Sequence, residues 1–242
     1  MPQTMLITGA SSGIGRSVAT HALESGWRVG LLARRAEPLH EIAANGEALV
    51  LPGDVTSLED VDRSVQVMAE KWGRLDVLFN NAGIFTPQGL IDEIDYEDWT
   101  RSVSVNLTGM FNCARSAFAQ MRRQTPMGGR IINNGSISAH TPREGSVCYT
   151  STKHAITGMT KSLSLDGRAF DIACGQIDIG NAGTPMVENL NRANVAAGRP
   201  EVPQMPVQQV AKAVLLMAEA PLNTNVQFMT VMATKMPYIG RG

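Results

Sequence analysis

Thr8-Gly9-Ala10-Ser11-Ser12-Gly13-Ile14-Gly15 follows the apolar run Met5-Leu6-Ile7 and leads into a helical pattern of Val18, Ala19, Ala22 and Leu23. A short strand, a glycine-rich turn and a helix start make the opening of a dinucleotide-binding βαβ unit. In this arrangement Gly9 permits the tight turn and Gly13 lets the backbone approach a pyrophosphate. Gly15 lets the helix pack on the strand. The first amides of that helix, with its dipole, face the phosphates. The spacing is TGxxxGxG rather than the commoner GxGxxG, and an ordinary tight strand-to-helix connection could use the same residues. The turn alone therefore does not settle the fold.

The remaining pattern does. Apolar runs of strand length recur at Met5–Thr8, Arg28–Leu32, Ala48–Leu51, Leu75–Phe79, Arg130–Asn133, Ile172–Ile177 and Val226–Val231. Helical periodicity fills Ile14–Ser25, Leu58–Trp72, Trp99–Met121, Tyr149–Phe170 and Val207–Glu219. Strands alternating with helices predict an α/β fold: a Rossmann-like, doubly wound parallel sheet of about seven strands with helices on both faces. No linker divides residues 1–242, so one domain is expected. Thr184–Pro206 lacks strong periodicity and carries four prolines and three asparagines. It reads as a long loop, and loops of that length in a compact domain usually serve function.

A second signal lies in Tyr149-Thr150-Ser151-Thr152-Lys153. Four residues are one helical turn, so the phenol and the ammonium project from one face. A cation beside a phenol favours the phenolate, which predicts a tyrosine pKa below its usual value. Ser136 stands 13 residues before Tyr149 and offers a hydroxyl from a strand end. Tyr149 is then a general acid or base, and Ser136 holds the oxygen it protonates. Ser138 competes for the serine role. Neither Tyr96 nor Tyr238 has a lysine four residues on.

Together these residues resemble the short-chain dehydrogenase/reductase family in its single-domain form of roughly 250 residues. TGASSGIG matches the family's cofactor turn, and Asn80-Asn81-Ala82-Gly83 matches its motif after the fourth strand. Asn106, Ser136, Tyr149 and Lys153 match its catalytic tetrad. The resemblance implies that Lys153 also bonds the nicotinamide ribose and that Asn106 kinks its helix to position a water in a proton relay. A buried amide satisfying nearby backbone is the other reading of Asn106. Asn80 and Asn81 are expected to organise their turn. The resemblance further implies cofactor contacts from Ser11, Ser12, Ile14, Asn81, Ala82 and Gly83. It extends these to Ile179, Gly180, Ala182 and Thr184. Asp54-Val55 resembles the contact to adenine, although an Asp after Gly53 also suits a turn. The region 184–206 corresponds to a lid over the substrate. Ile179-Gly180 replaces the family's usual Pro-Gly, which frees one φ angle and adds a backbone donor.

Cofactor choice turns on the end of the second strand. Sites that prefer the unphosphorylated ribose place a carboxylate there. This chain has Ala33, then Arg34 and Arg35, and Glu37-Pro38 opens the next helix. Arg34 offers a planar fork for a 2′-phosphate, so NADPH is expected over NAD. The expected activity is hydride transfer between NADP(H) and a carbonyl or secondary alcohol, as in carbonyl or 3-oxoacyl reductases. An NAD-dependent polyol or steroid dehydrogenase and a catalytically idle dinucleotide sensor remain alternatives. His140, Arg143 and Glu144 are expected to make the pocket mouth polar, with Met186, Val187, Leu190 and Met205 forming an apolar wall.

A net charge of −1 without basic runs gives no sign of a nucleic-acid or anionic-membrane partner. With no long apolar segment, a cytoplasmic protein acting on a small molecule is the simplest expectation. Cys113, Cys148 and Cys174 read as reduced core thiols, neither disulfides nor metal ligands. The resemblance also implies a homo-oligomer, a tetramer or dimer, in which the tail Met236–Gly242 could pack.

Overall fold

Both faces of each central strand are apolar, so the sheet must be covered on both sides. The computed structural model describes residues 3–239 and shows this arrangement. Strands β1 (Thr4–Thr8), β2 (Arg28–Ala33), β3 (Ala48–Pro52), β4 (Val77–Asn80), β5 (Gly129–Asn134), β6 (Ile172–Ile179) and β7 (Phe228–Val231) form one sheet. Their order is β3-β2-β1-β4-β5-β6-β7, and every pair is parallel. The helices are α1 (Gly13–Glu24), α2 (Glu37–Ala43), α3 (Leu58–Trp72), α4 (Tyr96–Val103), α5 (Gly109–Arg123), α6 (Val147–Asp166), α7 (Pro185–Ala196) and α8 (Val207–Glu219).

Alternation along β1 shows how the layers are built. Met5 and Ile7 enter a cluster with Val18 and Ala22 of α1 and Val210 and Val214 of α8. Leu6, between them, enters the opposite cluster with Val65 and Met68 of α3 and Cys113 and Ala117 of α5. Each fully buried side chain of this size contributes roughly 1.5–3 kcal/mol before entropy is charged. A one-residue slip of β1 would exchange the two faces, so its register with Val29, Leu31 and Phe79 is held by packing. The chain steps outward from β1 to β3 and then returns to place β4 on the other side of β1. That reversal opens a crevice at the carboxyl ends of β1 and β4.

Several boundaries differ from expectation for visible reasons. β4 starts at Val77 rather than Leu75, because the Gln124 side chain takes both backbone groups of Leu75. β7 begins at Phe228 instead of Val226. The expected helix from Trp99 to Met121 is α4, a π-helical turn at Ser104–Thr108, and α5. α6 starts two residues before Tyr149 and closes in a 3₁₀ turn at Gly167–Phe170.

The largest correction concerns residues 184–206, which are not a continuous loop. Thr184 caps α7 by accepting from the Val187 amide, Pro185 occupies the first turn and Glu188 faces the positive end of the dipole. Val187 and Asn191, one turn apart, are buried. Prolines at both edges of the segment hid that short period from the sequence reading. The stretch after α7 folds back, with the Asn191 side chain accepting from the Val202 amide and Met205 bridging to Ala182.

Candidate active site

The glycine turn closes the crevice from below. Gly9 has φ +67, a left-handed conformation, and a Cβ on Gly15 would stand 2.3 Å from the Gly9 carbonyl oxygen. Side chains at these positions would respectively strain the turn and push α1 off β1. From the end of β1, the Thr8 hydroxyl accepts from the amides of Asn81 and Ala82. The Asn81 side chain donates to the Thr8 carbonyl and accepts from Asn134 at the end of β5. The ends of β1, β4 and β5 are thereby tied together. Asn80 is spent on Met110 and Asn133, so both asparagines organise this junction.

Lys153 reaches the same junction from α6. Its ammonium donates to the Asn134 carbonyl at 2.7 Å and lies 5.5 Å from the centre of the Tyr149 ring. Burial pushes the lysine pKa down to about 8, partly opposed by the negative charge of Asp178. The expected lowering of the Tyr149 pKa is not what the structure shows. Burial raises it, while the Ser136 hydroxyl and the Arg143 charge pull the other way. Tyr149 is half-buried on the cavity wall, yet desolvation of its phenol outweighs the Ser136 hydroxyl and the Arg143 charge. Phe85 stacks on the Tyr149 ring with centroids 4.4 Å apart.

Ser136 sits at the end of β5 with its hydroxyl accepting from the Ser138 amide. Its own amide donates to Asp178 Oδ1, which also accepts from Gln176. The other Asp178 oxygen meets His140 Nε2 at 2.7 Å. Asp178 is a buried carboxylate with a full set of partners, and it fixes the backbone that presents Ser136.

One cavity of about 360 Å³ runs from Arg34, Arg35 and Asp54 across the glycine turn to Ser136, Tyr149 and Lys153. The other candidate cofactor residues, Ser11, Ser12, Gly13, Ile14, Val55, Asn81, Ala82, Gly83, Ile179, Gly180, Ala182 and Thr184, also line it; Gly15 does not, and packs against the Gly9 carbonyl instead. Arg34 and Arg35 are exposed at its far end, and no carboxylate follows β2 before Glu37. Asp54 Oδ1 accepts from the Thr56 amide and hydroxyl, the turn that its position after Gly53 suggested, while still facing the cavity. Ile179 in place of proline is buried and ends β6, and Gly180 donates to the Val231 carbonyl. A proline at 179 would leave that strand end with one amide fewer.

Asn106 does not line the cavity. Fully buried in the π-helical turn, its amide accepts from Ile84 N and donates to Ile84 O at 2.8 and 2.9 Å. This is the backbone-satisfying arrangement, and it fastens the segment after Gly83. His140, Glu144 and Met205 also lie off the cavity wall. His140 is held by Asp178, Glu144 is exposed and Met205 is buried in the core beside Ala182. Arg143, Met186, Val187 and Leu190 do line it, with Met236 from the tail. Residues 240–242 of that tail lie outside the described residues.

Sequence reasoning missed Asn134, Phe85 and Asp178. The polar pair Gln176 and Asp178 inside an otherwise apolar buried strand was the available signal for the last. All three cysteines are buried and free, with the Cys174 thiol pushed up to about 12 by burial. Among the described residues no cluster of three His, Cys, Asp or Glu could hold a metal ion. None of their helices is long and apolar enough to cross a membrane.

The sequence pattern of the family described as short chain dehydrogenase matches residues 3–195. A 3beta-hydroxysteroid dehydrogenase of Mediterraneibacter gnavus is 32% identical over 189 residues, covering 76% of this chain and 67% of its own. The 3-ketoacyl-(acyl-carrier-protein) reductase of Brucella melitensis, solved with NADH, superposes with TM-score 0.84 at 25% identity, covering 95% of this chain and 96% of its own. The structure of ElxO with NADP bound gives TM-score 0.84 at 28% identity, covering 96% and 98%.

Proposed function

The chain belongs to the short-chain dehydrogenase/reductase family and is an oxidoreductase passing hydride between a nicotinamide dinucleotide and a carbonyl or alcohol; from that premise we propose how its residues divide the work. The observation that carries the proposal is the single cavity joining the arginines after β2 to the Ser136, Tyr149 and Lys153 cluster.

A bound nicotinamide supplies or accepts the hydride. Tyr149 gives its phenolic proton to the carbonyl oxygen in reduction and takes it back in alcohol oxidation. Burial keeps the phenol protonated, which suits the reductive direction. Ser136 holds the same oxygen, its backbone fixed by Asp178. Lys153, whose pKa of about 8 lies near working pH, can hand on a proton as well as hold a ribose. Asn106 serves by fastening Ile84 beside the cavity.

The residues fit a dinucleotide. Ser11, Ser12, Gly13 and Ile14, around the start of α1, face its phosphates. Asp54 and Val55 would hold the adenine, and Asn81, Ala82 and Gly83 would hold the adjoining part of the dinucleotide. Ile179, Gly180, Ala182 and Thr184 border the nicotinamide end. Arg34, with no carboxylate beside it, favours NADPH over NADH. Helix α7 is the lid, resting its Val187 and Leu190 on the cavity.

Within this assignment the substrate is a small carbonyl compound or secondary alcohol, and residues 1–242 act as one domain. Exposed Phe111 on α5 and Leu165 on α6 support a homo-oligomer, while three free thiols suit a reducing compartment such as the cytoplasm. The test is a panel of carbonyls and alcohols with each cofactor, followed by the absorbance of reduced nicotinamide. Turnover of no member with either cofactor would remove the assignment of Ser136, Tyr149 and Lys153.

A further inference from the structure

Several arginines of this chain are already held by other protein groups. Arg16, Arg28, Arg63, Arg74, Arg101 and Arg115 each pair with a carboxylate. Arg130 is buried away from the cavity and its terminal nitrogen donates to the carbonyls of Ala220, Pro221 and Thr224, although its Nε has no partner among the described residues. Arg143 does neither, although it lines the cavity that holds Tyr149 and Ser136. Its guanidinium carbon stands 5.9 Å from the centre of the Phe85 ring, the ring that stacks on Tyr149. Its Nε is buried and has no hydrogen-bond partner among the described residues.

An unpartnered buried donor on a cation is costly, and the cost is recovered when an anion enters. A guanidinium presents its N–H groups as a planar fork that matches a carboxylate in a bidentate pair. The surroundings say what else the ligand carries. Phe85 stands beside both Arg143 and Tyr149, and Met186, Val187 and Leu190 add apolar lining to the same cavity. Glu144, the neighbouring acid, is exposed and away from the cavity, and among the described residues no carboxylate pairs with the fork. The pull of the Arg143 charge on the Tyr149 phenol shows that the two lie within electrostatic reach.

Resting on the oxidoreductase assignment above, we infer that the substrate is an aliphatic oxo acid, or the matching hydroxy acid, whose carboxylate is held by Arg143 while its carbonyl meets Tyr149 and Ser136. Arg143 is thus a specificity-determining residue. Its contact with Phe85 helps hold the guanidinium on the cavity wall, and the apolar lining takes the intervening methylenes.

Two measurements test this. In the first, aliphatic oxo acids of four to eight carbons are compared with their ethyl esters and with the plain ketones of equal length, with NADPH and NADH. A phosphate monoester of a hydroxyketone serves as a second anion. The wild-type protein should favour the acid over its ester at least ~10-fold in kcat/KM at the best chain length. In Arg143→Met that ratio should fall to about one through the KM of the acid, and Arg143→Lys should keep part of it. Preference for the phosphate ester over every acid would overturn the carboxylate assignment. Equal use of acid and ester by the wild type, or an unchanged ratio in Arg143→Met, would overturn the inference and leave the oxidoreductase assignment standing.

The second measurement does not depend on turnover. Calorimetric titration of pentanoate and of 2-pentanol into the NADP-loaded protein should show carboxylate binding that Arg143→Met loses. Carboxylate binding of equal strength in both proteins, or none in the wild type, would overturn the inference whatever the panel gives. Arg143-dependent carboxylate binding with no carbonyl turned over would support the carboxylate site and count instead against the roles given to Ser136 and Tyr149.

Discussion

The Lys153 ammonium donates to the Asn134 carbonyl at 2.7 Å, joining α6 to the end of β5 beside the cavity that Ser136 and Tyr149 line. The bond places the lysine and strains its charge at the same time, because burial lowers its pKa from 10.5 to about 8. Between those values the unfolded chain binds a proton that the folded chain does not. Folding is therefore favoured as pH rises through that window, and the charged lysine is a cost at neutral pH. The shift corresponds to about 3 kcal/mol, offset by roughly 1 kcal/mol for the hydrogen bond. Lys153→Met should abolish turnover yet melt higher than the wild type at pH 7, with the gain shrinking towards pH 10. Melting curves at both pH values check it, and a variant less stable at pH 7 would contradict this account.

Tyr149→Phe keeps the ring that packs on Phe85 and removes only the transferable proton. Turnover should drop by at least ~100-fold while dinucleotide binding persists. Because burial raises the tyrosine pKa, oxidation in the wild type should accelerate as pH rises and reduction should slow. Near wild-type turnover in the Phe variant would unseat Tyr149 as the proton donor.

Asn106→Ala removes both bonds to Ile84. The expected cost is about 1–3 kcal/mol of stability, together with faster amide exchange at Ile84 and a lower kcat. If kcat fell while stability and Ile84 protection held, the amide would be acting on the chemistry instead of on the loop.

Arg34→Ala should weaken NADPH binding by roughly 10- to 150-fold, the worth of a charge-assisted hydrogen bond, and barely affect NADH. Ala33→Asp adds repulsion towards a 2′-phosphate and an acceptor for free ribose hydroxyls, so the preference should narrow or reverse. Values of kcat/KM for both cofactors decide it. Equal loss of both cofactors in Arg34→Ala would place the phosphate contact elsewhere, with exposed Arg35 next in line.

Helix α7 should gain amide protection over residues 185–196 when cofactor and substrate bind. Thr184→Ala, which deletes its cap, should cost about 0.5–2 kcal/mol and speed exchange in that helix before the core is affected. Unchanged protection between free and loaded protein would remove the lid assignment.

The alternation of apolar runs and the glycine turn were enough to specify the parallel sheet, because both depend on local period and on residues that tolerate unusual backbone. Every expected strand is present, with ends displaced where a side chain such as Gln124 took over the ladder. The Ser136, Tyr149 and Lys153 cluster was equally legible, since one helical turn and a strand end fix their spacing. What only the tertiary structure decided depends on groups distant in the chain. The direction of the Tyr149 pKa follows from how much protein encloses the phenol, which no spacing records. The Asp178 carboxylate acquires its role from Ser136 and His140, about 40 residues away, through the β5–β6 pairing. Asn106 turned out to hold Ile84 because a π-helical turn aims its amide at backbone. That Arg143 Nε lacks a partner among the described residues shows only once the chain is folded and the surrounding side chains are placed.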